Sequence, residues 1–348
     1  MLLDNSSLKY TKTFDLAIPR HSRKDTGYTE GELSELYNKG VQALLASMPG
    51  LTYFSWEDVT LYTTTISTLH QKCPNIRSLI IHNEEHIEEK LGLIDNFDFN
   101  DGFHERQALF ATQDLSLFSN LAELEVYGIY GDLNRVRKDL VEVLLKSPTL
   151  RTLGLSISAD TVERLNFEGT VAKNMEYLLF SKALCDEYVA AGGRPLRLQK
   201  LVFGLSLIVW QPGSYLASLV DLESLEDAYI SNQGHDVAIY FQEEDNIAWS
   251  LFTPNQCPNL STFGVHDVTK RVKRWVDALE PGYIRQFRTE WSTEYDLNDV
   301  VSKLEGAHTS SKSKMSMVTS QTDDFQLVKI RGVQALAINI RSPHQEIN

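Results

Sequence analysis

Apolar residues recur along the chain in one short phrase, Leu-x-x-Leu-x-Leu in outline. The best copies are Leu51-x-x-Phe54-x-Trp56, Ile76-x-x-Leu79-x-Ile81, Leu121-x-x-Leu124-x-Val126, Leu150-x-x-Leu153-x-Leu155 and Leu260-x-x-Phe263-x-Val265. Similar turns precede them: Pro49-Gly50, Cys73-Pro-Asn75, Ser119-Asn120, Ser147-Pro-Thr149 and Cys257-Pro-Asn259. Weaker copies read Met175-x-x-Leu178-x-Phe180, Leu198-x-x-Leu201-x-Phe203, Leu222-x-x-Leu225, Ile284-x-x-Phe287 and Leu327-x-x-Ile330. Each phrase predicts a short strand whose alternate residues point inward, with the earlier apolar residue closing the turn before it. The Pro or Ser ahead of it stops the preceding helix.

The first apolar positions are separated by 25, 45, 29, 25, 23, 24, 38, 24 and 43 residues, so six of nine steps fall between 23 and 29. A period of that size is the signature of a leucine-rich repeat, one strand plus one helix per unit. The three long steps predict units with insertions or a decayed phrase. Between the phrases, Leu33-Leu36-Tyr37-Val41-Leu44-Leu45, Val136-Leu140-Val143-Leu144, Ile247-Leu251-Phe252 and Val272-Trp275-Val276-Leu279 carry helical spacing. Strand and helix alternate, which predicts an α/β leucine-rich-repeat solenoid, a horseshoe or arc with a parallel concave sheet and outer helices. A doubly wound α/β enzyme alternates too, but neither Gly-x-Gly-x-x-Gly nor a P-loop occurs in the sequence.

One solenoid is expected over residues 1–348. Residues 1–47 form an N-terminal cap of one strand, Tyr10-x-x-x-Phe14-x-Leu16-x-Ile18, and one helix, joined by a polar connection at 19–32. Repeats fill 48–305, with an acidic insertion at 83–117 that carries Glu84, Glu85, Glu88, Glu89, Asp95, Asp98, Asp101 and Glu105. A Ser/Thr-rich stretch at 306–324 predicts a mobile polar loop, and 325–348 a C-terminal strand or cap.

Net charge sharpens this picture. At −14 over 348 residues, the chain lacks the basic stripe that phosphate backbones require, so no nucleic acid is expected as partner. A basic or mixed-charge protein is expected instead. No apolar run is long enough to span a membrane, and Met1-Leu-Leu-Asp-Asn-Ser-Ser has no signal pattern. Three cysteines point to a reducing compartment, cytoplasmic or nuclear, and predict buried, well-separated thiols at Cys73 and Cys257.

Catalytic chemistry finds little support. His82-Asn83-Glu84-Glu85-His86 matches the inverted zinc-peptidase signature, which needs both imidazoles on one helical face. Here His82 directly follows a strand phrase, so a zinc hydrolase built on His82 and His86 is the weaker alternative to binding. No nucleophile elbow, Cys-x-x-Cys pair or Walker sequence occurs, and no cofactor or metal is expected. The run Lys270-Arg271-Val272-Lys273-Arg274-Trp275 reads as the outer face of an amphipathic helix.

With Cys-Pro-Asn-Leu/Ile-x-x-Leu/Phe at 73–79 and 257–263 and this scatter of periods, residues 45 to 290 resemble the divergent leucine-rich repeats of fungal F-box proteins. The resemblance implies the substrate-recognition part of an SCF-type ubiquitin ligase receptor. It also implies that the SCF adaptor subunit is a partner only if the native protein carries an F-box, which is not visible in the opening Leu2-Leu-Asp-Asn-Ser-Ser-Leu-Lys-Tyr10. A regulatory solenoid similar to ribonuclease inhibitor or a GTPase regulator is the alternative. In either case the concave surface should be lined by the residues between and beside the inward positions: Tyr53, Glu57, His82, Glu123, Glu125, Tyr127, Tyr177, Lys200, Glu226, His266, Arg288 and Glu290.

Overall fold

The structure is a computed structural model that describes residues 8–17, 30–57, 61–82, 112–129, 132–157, 179–204, 207, 215–230, 249–291, 300, 303–304, 316–318, 325–330 and 333–339. Its strands are β1 (Thr13–Ala17), β2 (Tyr53–Glu57), β3 (Ser78–His82), β4 (Glu123–Ile129), β5 (Thr152–Ile157), β6 (Lys200–Phe203), β7 (Asp227–Ile230), β8 (Thr262–Asp267), β9 (Gln286–Trp291), β10 (Ser316–Val318), β11 (Phe325–Ile330) and β12 (Val333–Asn339). All twelve belong to one sheet, ordered β1 through β9 and then β12, β11, β10. From β1 to β9 every neighbouring pair is parallel and follows chain order. A doubly wound sheet reverses its order at a switch point, and this run has no reversal. The arrangement is compatible with a solenoid-like arc.

The helices are α1 (Glu30–Leu45), α2 (Thr63–Lys72), α3 (Leu133–Leu145), α4 (Phe180–Ala190), the single turn α5 (Leu216–Leu219) and α6 (Lys270–Asp277). They too pack in chain order: α1 on α2, α3 on α4, α4 on α5, with a 3₁₀ turn at Thr112–Leu117 between α2 and α3. Sheet and helices enclose one apolar core. Asp132 caps α3 by accepting hydrogen bonds from the amides of Asn134 and Arg135, and Thr269 caps α6 through the amide of Val272. The predicted inward positions Val136, Leu140, Val143 and Leu144 are buried, as are Val272, Trp275 and Val276. Leu36, part of the expected apolar stripe of α1, is instead 57 % exposed. Asn38 was not foreseen as core. It is fully buried, donates to the Ser34 carbonyl and accepts from the Tyr62 amide and the Thr65 hydroxyl, stitching α1 to the start of α2.

One row of cross-strand partners runs Phe54, Leu79, Leu124, Leu153, Leu201, Ala228, Phe263 and Phe287, each at 0 % exposure. A second runs Trp56, Ile81, Val126, Leu155, Phe203, Ile230, Val265 and Thr289, all buried. Thr289 closes that row as its one hydroxyl, which donates to the His266 carbonyl at 3.2 Å. Because the side-chain period of a strand is two, a slip of one residue would turn both rows to solvent, so burial fixes the register.

The turns reinforce that register. The residue before each strand from β1 to β8 offers one carbonyl to two successive amides of the next unit. Lys12 accepts from Thr52 and Tyr53, and Thr52 from Arg77 and Ser78; Arg77, Ala122, Arg151, Gln199, Glu226 and Ser261 do the same for their successors, at 2.7 to 3.2 Å. The prolines act in the turns as well as after helices. In Met48-Pro-Gly-Leu51, Cys73-Pro-Asn-Ile76, Ser147-Pro-Thr-Leu150 and Cys257-Pro-Asn-Leu260, the last amide donates to the first carbonyl at 3.0 to 3.3 Å, with proline at the second position, where its fixed φ suits a β-turn.

Three phrases are read differently by the structure. Phe180 opens α4, and β5 pairs directly with β6 with no strand between them in the sheet; Met175 and Leu178 lie outside the described residues. In the seventh unit Leu222 opens the turn and Leu225 is the anchor, giving Leu225-x-x-Ala228-x-Ile230, because the inward row requires Ala228 opposite Leu201. Leu327-x-x-Ile330 belongs to β11, which runs antiparallel to β12, so β12 rather than β11 extends the parallel run. Ser316–Val318, within the expected loop, pair with β11 as an antiparallel edge. Trp249–Leu251 form a 3₁₀ turn where a longer helix was expected. The expected acidic insertion and Ile18 lie outside the described residues, apart from 112–117 at the insertion's end.

Candidate interaction surface

The face of the sheet opposite the core is polar and half-buried. Strand alternation turns Tyr53, Ser55 and Glu57 of β2 outward, then Ser78, Ile80 and His82 of β3, and Glu123, Glu125 and Tyr127 of β4. Further along come Thr152 and Gly154 of β5, Lys200 and Val202 of β6, Asp227 and Tyr229 of β7, Gly264 and His266 of β8, and Arg288 of β9.

Two clusters organise this face. In the first, Glu125 lies with only 8 % of its side chain exposed, accepts a hydrogen bond from the Tyr127 hydroxyl at 2.9 Å and pairs with the Lys200 ammonium at 2.8 Å. The bridge crosses β5, and Gly154 makes the crossing possible: a Cβ there would meet the Tyr127 Oη at 2.3 Å and the Glu125 Cγ at 3.0 Å. In the second, Arg288 donates to Asp227 at 3.2 Å across β8, again over a glycine. A Cβ on Gly264 would meet the Tyr229 ring at 2.6 Å. A mid-strand glycine is costly unless something needs the space, and here an aromatic ring does.

Electrostatics follow the burial. Burial raises the Tyr127 phenol far above its usual range, and the neighbouring Glu125 carboxylate adds to the effect. Asp227 is also raised: burial outweighs the opposing pull of Arg288 and Lys200, although the ion pair is intact. Burial likewise raises Tyr53. Among the described side chains the face carries the acids Asp15, Glu57, Glu123, Glu125 and Asp227 against Lys200 and Arg288, and both cations are engaged by Glu125 and Asp227. Asp15, Glu57 and Glu123 face no cation among the described residues, and Glu123 accepts a short hydrogen bond from the Ser78 hydroxyl.

Of the expected surface residues, Tyr53, Glu57, His82, Glu123, Glu125, Tyr127, Lys200, His266 and Arg288 stand on this face. His82 packs edge-on against Tyr127, with ring centroids 4.6 Å apart. Glu226 does not. It is exposed at the rim just before β7, 3.4 Å from Gln199, since the seventh phrase is anchored at Leu225 and turns Asp227 outward. Glu290 belongs to β9, but its side chain lies outside the described part, and Tyr177 lies wholly outside it. Sequence reasoning missed Ile80, Gly154, Asp227, Tyr229 and Gly264. A signal existed for the glycines, which occupy the same phrase position in Leu153-Gly-Leu155 and Phe263-Gly-Val265.

Among the described residues, no group of three His, Cys, Asp or Glu side chains is placed to hold a metal ion; His86 lies outside them. Also among them, no helix is long and apolar enough to cross a membrane. A concavity of about 620 Å³ lies at the strand N-terminal rim, between Arg151, Arg197, Asp221, Glu223, Glu226 and Asn259. It is mixed in charge and shallow, and neither cysteine nor histidine lines it. Compared with known proteins, the chain matches no family model and no curated protein.

Proposed function

We propose that the protein is a non-catalytic leucine-rich-repeat solenoid, one continuous domain, whose outward sheet face binds a protein partner of basic or mixed charge. The observation that carries this reading is the charge arrangement of the face. Its two described cations are consumed by internal pairs while acids remain without one, and half-buried tyrosines stand between them. Aromatic side chains among polar neighbours are the composition of interface anchors. A parallel sheet of nine strands spaced about 4.8 Å apart offers a protein ligand a surface roughly 40 Å long.

The resemblance to F-box proteins supports a more specific form, the substrate-recognition part of an SCF-type ubiquitin ligase receptor, in the cytoplasm or nucleus. That form requires an F-box in the native protein. Site-specific photo-crosslinking tests the general reading. A crosslinker placed at Thr152, on the face, should trap a discrete protein from a native extract, whereas one at Glu142, on the outer side of α3, should not. Equal trapping from both positions, or none from Thr152, overturns the reading. The SCF form adds the ligase adaptor and a cullin to the co-purified proteins.

A further inference from the structure

The register of β2, β3 and β4 sets nine outward residues in a three-by-three grid: Tyr53, Ser55 and Glu57; Ser78, Ile80 and His82; Glu123, Glu125 and Tyr127. At its centre stands Ile80, partly exposed and aliphatic, opposite Ser55 on one side and Glu125 on the other. The corners alternate, with Glu57 and Glu123 on one diagonal and Tyr53 and Tyr127 on the other. From strand spacing and rise, each corner glutamate lies roughly 8 Å from Ile80, and the two lie roughly 16 Å apart. That distance is several times what a shared metal ion allows, so the two carboxylates act on separate groups.

We infer that this grid is the anchor point of the face and that it takes an amphipathic basic segment of a protein partner: one apolar side chain seated on Ile80 between the two tyrosines, and a lysine or arginine on each side reaching Glu57 and Glu123. This placement rests on the proposed function of the face and adds where the partner docks and with what chemistry. The grid has the anatomy of an interface centre, an apolar contact ringed by aromatic and charged groups that exclude water from it. Among the described side chains, the other half of the face lacks this pattern. Between β5 and β9 the described charges are spent on the Lys200–Glu125 and Arg288–Asp227 pairs, and the outward glycines are covered by tyrosine rings.

Two fluorescein-labelled twelve-residue peptides of equal charge serve as probes of the full chain. One carries a leucine between two lysine pairs in a Gly/Ser background, and in the other serine replaces the leucine. The leucine peptide should bind about tenfold more tightly, the effect of burying part of one side chain. Ile80→Ser should abolish that preference, and Glu57→Lys with Glu123→Lys should weaken both peptides by about tenfold or more. Glu57→Gln with Glu123→Gln, which adds no repulsion, should weaken both in the same direction. Glu142→Lys with Asp186→Lys on the helix layer changes net charge equally and should leave binding nearly unchanged. Circular dichroism checks folding of each variant. Absence of binding, no preference for leucine, or an equal loss in the helix-layer variant overturns the inference. If crosslinking from Thr152 traps a partner regardless of Glu57, Glu123 and Ile80, the function of the face stands and only this placement falls.

Discussion

Tyr127 lies across Gly154, its hydroxyl donating to Glu125 at 2.9 Å, in space that a single methyl group would occupy. The glycine is therefore part of the ion-pair architecture: the Glu125–Lys200 bridge passes over a strand that carries no side chain at that point. Gly154→Ala should push the tyrosine off the sheet and lower stability by about 1–3 kcal/mol. Tyr127→Ala in the same chain should recover much of that loss, and a double-mutant cycle by urea denaturation reads the coupling. Additive losses would show that the two residues do not compete for the same space.

Asp227 gives the face a pH dependence. Burial raises its carboxyl above the ordinary 3.8 despite Arg288 and Lys200, so the folded chain holds that proton more tightly than the unfolded chain does. Stability from this group is complete below the unfolded value and is lost as pH rises through the folded one. Asp227→Asn leaves Arg288 an acceptor oxygen and removes the ionisation. The variant should match or exceed the wild type at neutral pH and lose its advantage as pH falls below about 4. Thermal melts of both proteins across that range check the sign.

The three thiols should be silent in the native state. Burial raises Cys73 to about 11 and Cys257 to about 12, and raises Cys185 as well. All three are free and buried, and Cys73 and Cys257 contact backbone carbonyls of Met48 and Leu251. Cys73 and Cys257 precede β3 and β8, five strands apart, which matches the separation expected of them. Alkylation at pH 8 should modify none of the three in the folded protein and all three in denaturant. Rapid labelling of any one would show that its unit opens locally.

Among the described residues, Phe263 is the point where the aromatic core is densest. Its ring centroid lies 4.5 Å from Trp275, 5.2 Å from Phe252 and 6.3 Å from Trp249, and it is fully buried. Phe263→Ala should cost about 3–5 kcal/mol and change the fluorescence of the flanking tryptophans. A loss under about 1 kcal/mol would mean that the neighbours collapse into the space.

The sequence by itself determined the strands of the best copies and which of their residues face the core. Phe54, Leu79, Leu124, Leu153 and Phe263 stand in one buried row because an apolar residue at every second position can be buried only in one register. It determined the turns equally, since proline and a following short polar residue restrict the backbone locally. The weak copies needed the tertiary structure. Leu222 and Leu225 offer the same phrase in two phases, and only pairing of Ala228 with Leu201 chooses between them. Phe180 satisfies a strand phrase, yet it is buried equally well as the first residue of α4, because burial rewards an apolar side chain in either geometry. The outward face was the least legible part. Its acids and tyrosines could be named from alternation, but the Glu125–Lys200 pair joins residues 75 apart in sequence. No local pattern records that contact, which exists only because β4, β5 and β6 lie side by side with a glycine between the charges.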